Sequence, residues 1–212
     1  TEFKKAAREL IKSEYIAHRR IVFNGDNYSA AWKEEARRRG LLDLAGTPES
    51  LSYYDRKENV ELFERLKIYT KQEVRARKDI LLENYCKVIN IEALTMCDIT
   101  LKQILPAATE FTTRLADNIQ KLTALKADAS AQSDVLSEIS SLIGKVYKTE
   151  KKLSDAVLAV KNEPDPQSAA DAYHDTVFAL MQELRGYCDA IELLMPKSLW
   201  PFPTYSDLLL YI

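Results

Sequence analysis

The stretch that decides the fold runs from Thr70 to Lys126, TKQEVRARKDILLENYCKVINIEALTMCDITLKQILPAATEFTTRLADNIQKLTALK. Its opening is a capping box: the Thr70 hydroxyl and the Glu73 carboxylate, three residues apart, can satisfy amides that a helix start leaves unpaired. No glycine follows, and the only helix breaker is Pro106. Apolar residues fall on nearly every side between Ile80 and Leu105, among them Leu82, Val88, Ile91 and Leu94. A helix that is apolar around most of its circumference has to be covered by other elements. The pattern predicts an all-α protein, a long-helix up-down bundle built around a central helix over about 70–126. Proline removes one backbone bond and crowds the preceding turn, so a kink is expected near Pro106.

Beyond Lys126 the run from Asp128 to Ser133 is small and polar, which reads as a loop. A long amphipathic helix is then expected over roughly Asp134–Lys161. Its apolar residues, including Ile139, Val146, Leu153 and Val157, recur at the spacing of a bundle seam. Glu163-Pro-Asp-Pro166 is a hard break, and a third long helix is predicted from Gln167 to about Met195. Short connections between the three make neighbours antiparallel. The chain then ends in an apolar tail with Trp200, Phe202, Tyr205, Leu208, Leu209 and Tyr211. Such a segment is too apolar to stay in water and is expected to dock, on its own bundle or on a neighbouring subunit.

Before the central helix the elements are shorter. Residues 2–20 carry an apolar stripe at Phe3, Ala7, Leu10, Ile11 and Tyr15, the mark of an amphipathic helix. A short extended run from Ile21 enters a turn at Asn24-Gly25, a pair that readily takes left-handed backbone angles. Ser29 is placed to cap a helix over 30–39, with Gly40 as its stop. Thr47-Pro48 opens a short helical turn, and a helix is expected over 57–66.

Composition narrows the function classes. The 30 basic and 32 acidic residues give a net charge of -2, so no bulk field recruits nucleic acid or an anionic membrane surface. No apolar run approaches the ~20 residues a bilayer-spanning helix needs. The start, TEFKKAAREL, has no apolar core of a signal peptide, and cytoplasm is the expected location. Cys86, Cys97 and Cys188 have no short spacing. Cys86 and Cys97 would lie roughly 16 Å apart along one helix. They read as small core residues in a reducing compartment.

No catalytic, cofactor-binding or metal-ligating set assembles from the residues. His18 and His174 have no second histidine or cysteine at ligand spacing. Glu83 and Glu92, nine apart on one helix, point to opposite sides. Asn24-Gly25-Asp26 is a turn rather than a phosphate loop. The arginines at 37–39, 75 and 77 are flanked by acids and read as solvated faces.

Three blocks, in order, carry a family resemblance. The first is Arg20-Ile-Val-Phe-Asn-Gly-Asp-Asn-Tyr-Ser29 with Trp32 and Glu35-Ala-Arg-Arg-Arg-Gly-Leu41. The second is Leu82-Glu-Asn-Tyr-Cys-Lys-Val-Ile-Asn-Ile-Glu-Ala-Leu-Thr-Met96 with Ile104-Leu-Pro-Ala107, and the third is Trp200-Pro-Phe-Pro-Thr-Tyr-Ser-Asp-Leu-Leu209. Together they resemble the C-terminal part of type III glutamine synthetases, the large bacterial form. The resemblance spans nearly the whole chain and is faintest between about Leu122 and Ala172. The family pattern usually has glycine where Asn27 and Ser206 stand and near Leu66-Lys67, and a Ser-Arg-(Tyr/His)-Glu-like run at Ala76-Arg77-Lys78-Asp79. These departures mark a divergent member.

The resemblance implies an enzyme that joins ammonia to glutamate with ATP through a γ-glutamyl phosphate, using Mg or Mn held by Glu and His. Those ligands lie upstream of the matching segment, and none maps onto this chain. Residues 1–69 are then expected to pack on an upstream catalytic domain of the same polypeptide, and 70–212 to form a helical bundle with a docked tail. The family's ring-shaped homo-oligomers make Trp200, Phe202, Tyr205, Leu208, Leu209 and Tyr211 candidates for subunit contact. The alternative is a stand-alone helical adaptor using the same apolar surfaces. A small enzyme using its cysteines or carboxylates is a third reading.

Overall fold

The computed structural model describes residues 1–210. Among these the chain is helical, with no strand. It divides into two compact units, Thr1–Ala45 and Gly46–Ile212. The sequence reading drew its line at 69/70 on another criterion, the surface expected to meet an upstream domain. By contacts, the short helices after residue 46 belong with the bundle.

In the first unit, α1 (Glu2–His18) passes through a 3-10 turn (Arg19–Ile21) toward α2 (Ala30–Arg38). Ser29 caps α2 as expected, its hydroxyl accepting from the Trp32 amide. Phe23 packs on Trp32 with ring centroids 4.5 Å apart. Gly25 lies beneath Phe23, where a Cβ would come within 2.6 Å of the ring, so the turn needs a residue without one. Arg39 departs from the solvated face expected of the arginine run. It binds Glu35 at 2.6 Å, donates to the Val22 carbonyl at 3.1 Å and lies over the Phe23 ring, clamping the irregular segment to α2. The apolar stripe of α1 is left bare: Phe3, Leu10, Ile11 and Ile16 are all exposed.

In the second unit, α3 (Thr47–Ser52) and α4 (Lys57–Arg65) precede the central helix. The latter is α5 (Lys71–Ile99), a π-helical turn (Thr100–Ile104) and α6 (Leu105–Ala124). The capping box is present in full: the Thr70 amide donates to Glu73 at 2.7 Å, and the Glu73 amide to the Thr70 hydroxyl at 3.3 Å. Helix continues through Pro106. The proline ring crowds the carbonyl four residues back, which here is Lys102, inside the π turn. The wider register, in which the Leu105 amide donates to the Thr100 carbonyl, accommodates it.

Helix α7 (Ser130–Val160) runs back along α6 and α5. It starts about a turn before the expected Asp134; just ahead of it Asp128 accepts from the Ser130 amide at 2.9 Å. The third arm is α8 (Pro166–Ala172), a second π turn (Tyr173–Phe178) and α9 (Ala179–Leu194). Asp165 caps it, accepting from the Ser168 amide at 2.8 Å.

The core is a seam of repeating small and branched residues. Ile139, Val146 and Leu153 on α7 are fully buried, as are Val177, Leu184 and Ile191 on the third arm. Each set recurs every seven residues, the spacing that keeps one narrow face toward a neighbour. Opposite them the central helix supplies Ile89, Ala93, Cys97, Ile104 and Ala108. Ala93 and Ala108, both without exposed surface, let the backbones approach closely. Cavity arithmetic puts the truncation of a leucine in such a seam at ~2–5 kcal/mol.

Three helix ends share one stop. After α2, α4 and α6 the residues Gly40, Lys67 and Lys126 take left-handed backbone angles, with φ of 75°, 55° and 57°. Behind each, the next amide reaches back to close the last turn: Leu41 to Ala36, Ile68 to Phe63 and Ala127 to Leu122, all at 2.9 Å.

Candidate functional site

The tail splits into two parts. Leu199, Trp200 and Phe202 pack against the bundle core, with the rings of Trp200 and Phe202 edge to face at 6.0 Å. Thr204 then caps α10 (Tyr205–Leu210): its amide and hydroxyl donate to Asp207 at 2.9 and 2.8 Å, and Lys197 pairs with the same carboxylate. That lysine and the cap hold the Asp207 carboxyl well down, at about 2. Leu208, Leu209 and Leu210 are exposed. Tyr211 and the side chain of Tyr205 lie outside the described residues. Of the six tail candidates, Trp200 and Phe202 are thus seated on their own bundle, while Leu208 and Leu209 remain bare.

A second bare surface is the outer side of α5. Its inner side buries Val74, Leu82, Ile89, Ala93 and Cys97, whereas Ile80, Leu81, Val88, Ile91 and Leu94 are exposed. Among the described residues of its own unit, the covering that an all-round apolar helix requires is supplied on one side only.

Between α5 with its π turn, α9 and the tail lies a cleft of about 720 Å³. Met96, Ile99, Met181, Trp200 and Phe202 line it, with Leu208 as one wall, and Glu92, Arg185, Asp189 and Glu192 stand at its polar parts. Arg185 donates to Asp189 at 3.1 Å. Thr100, in the π turn, is almost without exposure. A smaller, more polar cleft of about 420 Å³ lies among Glu83, Lys87, Asn90, Lys161 and Tyr173. Glu83 and Glu92 therefore face different clefts, as their nine-residue spacing requires.

The titratable groups singled out by the sequence are accounted for locally. His18 lies 3.3 Å from Glu14, and His174 lies 2.8 Å from Asp175 and stacks on Phe178. All three cysteines are free. Burial pushes the thiols of Cys97 and Cys188 up to about 11, and Cys97 is raised further by the Glu150 carboxylate. Glu150 itself, buried on α7 and facing Cys97, is a feature the sequence reading missed. Only its place at a seam position, four residues after Val146, could have signalled it. Among the described residues no group of three or more His, Cys, Asp and Glu is arranged to hold a metal ion. No described helix is long and apolar enough to cross a membrane.

Comparison with known proteins agrees with the three blocks. The chain is 35% identical over 210 residues to a glutamine synthetase of Butyrivibrio fibrisolvens, covering 98% of this chain and 30% of the relative. It is 31% identical to the type-3 glutamine synthetase of Dictyostelium discoideum, over 96% of this chain and 29% of that protein. A glutamine synthetase of Bacteroides fragilis is 26% identical over 97% of the chain. The presence of the Dictyostelium protein shows that such relatives are not confined to bacteria. The chain spans about 30% of the length of the curated relatives it matches. The family model for the glutamine synthetase C-terminal domain matches residues 6–123, more than half of the chain, and stops where the resemblance becomes faint. On that match this chain belongs to the glutamine synthetase C-terminal domain family.

Proposed function

We propose that this chain is the non-catalytic, structural and subunit-contact region of a glutamine synthetase, a cytoplasmic ligase that forms glutamine, ADP and phosphate from glutamate, ammonia and ATP. The observation that carries the reading is the bare outer side of α5, Ile80, Leu81, Val88, Ile91 and Leu94, on a helix whose other side is fully packed. Contiguous apolar exposure on this scale marks a surface that meets protein. Residues 1–69, with the bare stripe of α1, would lie on an upstream catalytic domain of the same polypeptide, which holds the nucleotide and the Mg or Mn. Leu208 and Leu209 would meet a second subunit of a homo-oligomer. The catalytic steps would belong to that upstream domain, and the bundle would act as a buttress. Function resides in the site rather than the scaffold.

Deleting residues 199–212 from the full-length enzyme tests the contact role. The expected result is a smaller particle by multi-angle light scattering, together with loss of ATP- and glutamate-dependent ligation. An oligomer of unchanged mass would sink the contact role of the tail. A full-length protein with no such ligation would sink the enzymatic reading.

A further inference from the structure

The 720 Å³ cleft between α5, α9 and the tail is of the size that holds a small organic molecule. Its walls come from three separate parts of the chain: Met96 and Ile99 from α5, Met181 from α9, and Trp200 and Phe202 from the tail. The third wall is fixed in place by Asp207, which ties Lys197 to the start of α10. Both π turns of the chain reach the cleft, the first through Thr100 and Ile104 and the second through Phe178. Such turns interrupt a helix at a cost in backbone geometry and occur often at functional sites. Neither composition nor the proposed buttress role calls for two of them at one cavity.

The charge around the cleft selects among occupants. Three carboxylates, Glu92, Asp189 and Glu192, stand against one guanidinium, Arg185, whose charge is already met by Asp189. A carboxylate or phosphate ligand would meet net negative charge here. A purely apolar ligand would gain nothing from Glu92 and Glu192. A hydrophobic cation would gain from both features, because the apolar walls receive its hydrocarbon part and the carboxylates complement its charge. The thioethers of Met96 and Met181 add polarizable, adaptable walls.

We propose that this cleft binds a hydrophobic organic cation, an alkyl- or arylammonium compound, with its apolar part among Met181, Trp200 and Phe202 and its charge toward Glu92 and Glu192. The ammonium is held by attraction alone, and no bond is made or broken.

Isothermal titration of the full-length polypeptide with benzyltrimethylammonium tests this, with 3-phenylpropionate and benzyl alcohol as the anionic and neutral controls. The expected result is saturable binding of the cation alone. Binding should weaken roughly tenfold in a Glu92→Gln/Glu192→Gln double variant. Glu92 is exposed and Glu192 half-exposed, so the variant keeps the core intact, and unchanged light scattering would show that it does. Equal binding of the anion, binding insensitive to the double variant, or no saturable binding would each overturn the proposal. Because the readout is heat of binding, the result is independent of whether the polypeptide makes glutamine.

Discussion

Ile68 donates its amide to the Phe63 carbonyl at 2.9 Å, closing α4 around Lys67, a lysine held at a φ of 55°. This is where the family pattern has glycine nearby, and the backbone angle supplies the reason. A side chain in the left-handed region meets its own carbonyl, a penalty glycine does not have. Lys67→Gly should stabilise the chain by about 0.5–1 kcal/mol, after allowing for the greater freedom of glycine in the unfolded chain. Lys126→Gly should act in the same direction, and urea midpoints for the two variants check both.

At the other end of that turn, Thr70→Ala removes the hydroxyl that the Glu73 amide needs. The expected loss is about 1 kcal/mol, the usual value of an N-cap. Amide exchange in the first turn of α5 should accelerate, while the π turn thirty residues on should be unaffected.

The cysteines should differ in reactivity. Cys97 and Cys188 are buried with thiols pushed up to about 11, so at pH 8 they carry almost no thiolate. Cys86 is only half-buried, although burial raises its thiol too. Iodoacetamide followed by mass spectrometry should label Cys86 first, with the other two labelled only under denaturant.

The tail should respond to acid through Asp207. Its carboxyl is lowered by Lys197 and the Thr204 cap, so its contribution is present above the unfolded carboxylate value near 3.8 and is lost as pH falls toward about 2. Protection factors of residues 197–210, which remove the intrinsic pH dependence of amide exchange, should therefore be flat from neutral pH down to about pH 4. They should fall below that, and Asp207→Asn should have the lower protection near neutral pH, the difference closing as the carboxyl becomes protonated toward about pH 2.

Core and outer-side substitutions should separate stability from assembly. Leu184→Ala, at a position with no exposure, should cost ~2–5 kcal/mol. Ile80→Glu with Leu94→Glu should leave helix content unchanged by circular dichroism and lower the particle mass of the full-length protein.

Local signals carried much of the architecture. Thr70 with Glu73, Ser29, Gly40 and Asp165-Pro166 each act within one turn, and each ends or begins a helix where its chemistry requires. The three- and four-residue spacing of the apolar set that includes Ile139, Val146 and Leu153 identified the seam. Three features were out of reach of such rules. Nothing in the local pattern marked the π turns, save that Pro106 hinted at one. Arg39 turns inward because Val22 offers a carbonyl seventeen residues away, a contact no local pattern encodes. The cleft is assembled from α5, α9 and the tail, so its residues are spread from Ile91 to Leu208 along the chain. The tail was read as a single docking segment, whereas the turn at Thr204 divides it into a seated half and a bare half.

The bare side of α5 also bears on how the cell would treat this polypeptide before it is complete. A nascent or surplus copy presenting Ile80, Leu81, Val88, Ile91 and Leu94 to water offers chaperones and proteases the kind of surface they bind. Once that surface is covered, the signal disappears. Under the proposed subunit-contact role, unpartnered copies would be removed by turnover and assembled ones spared.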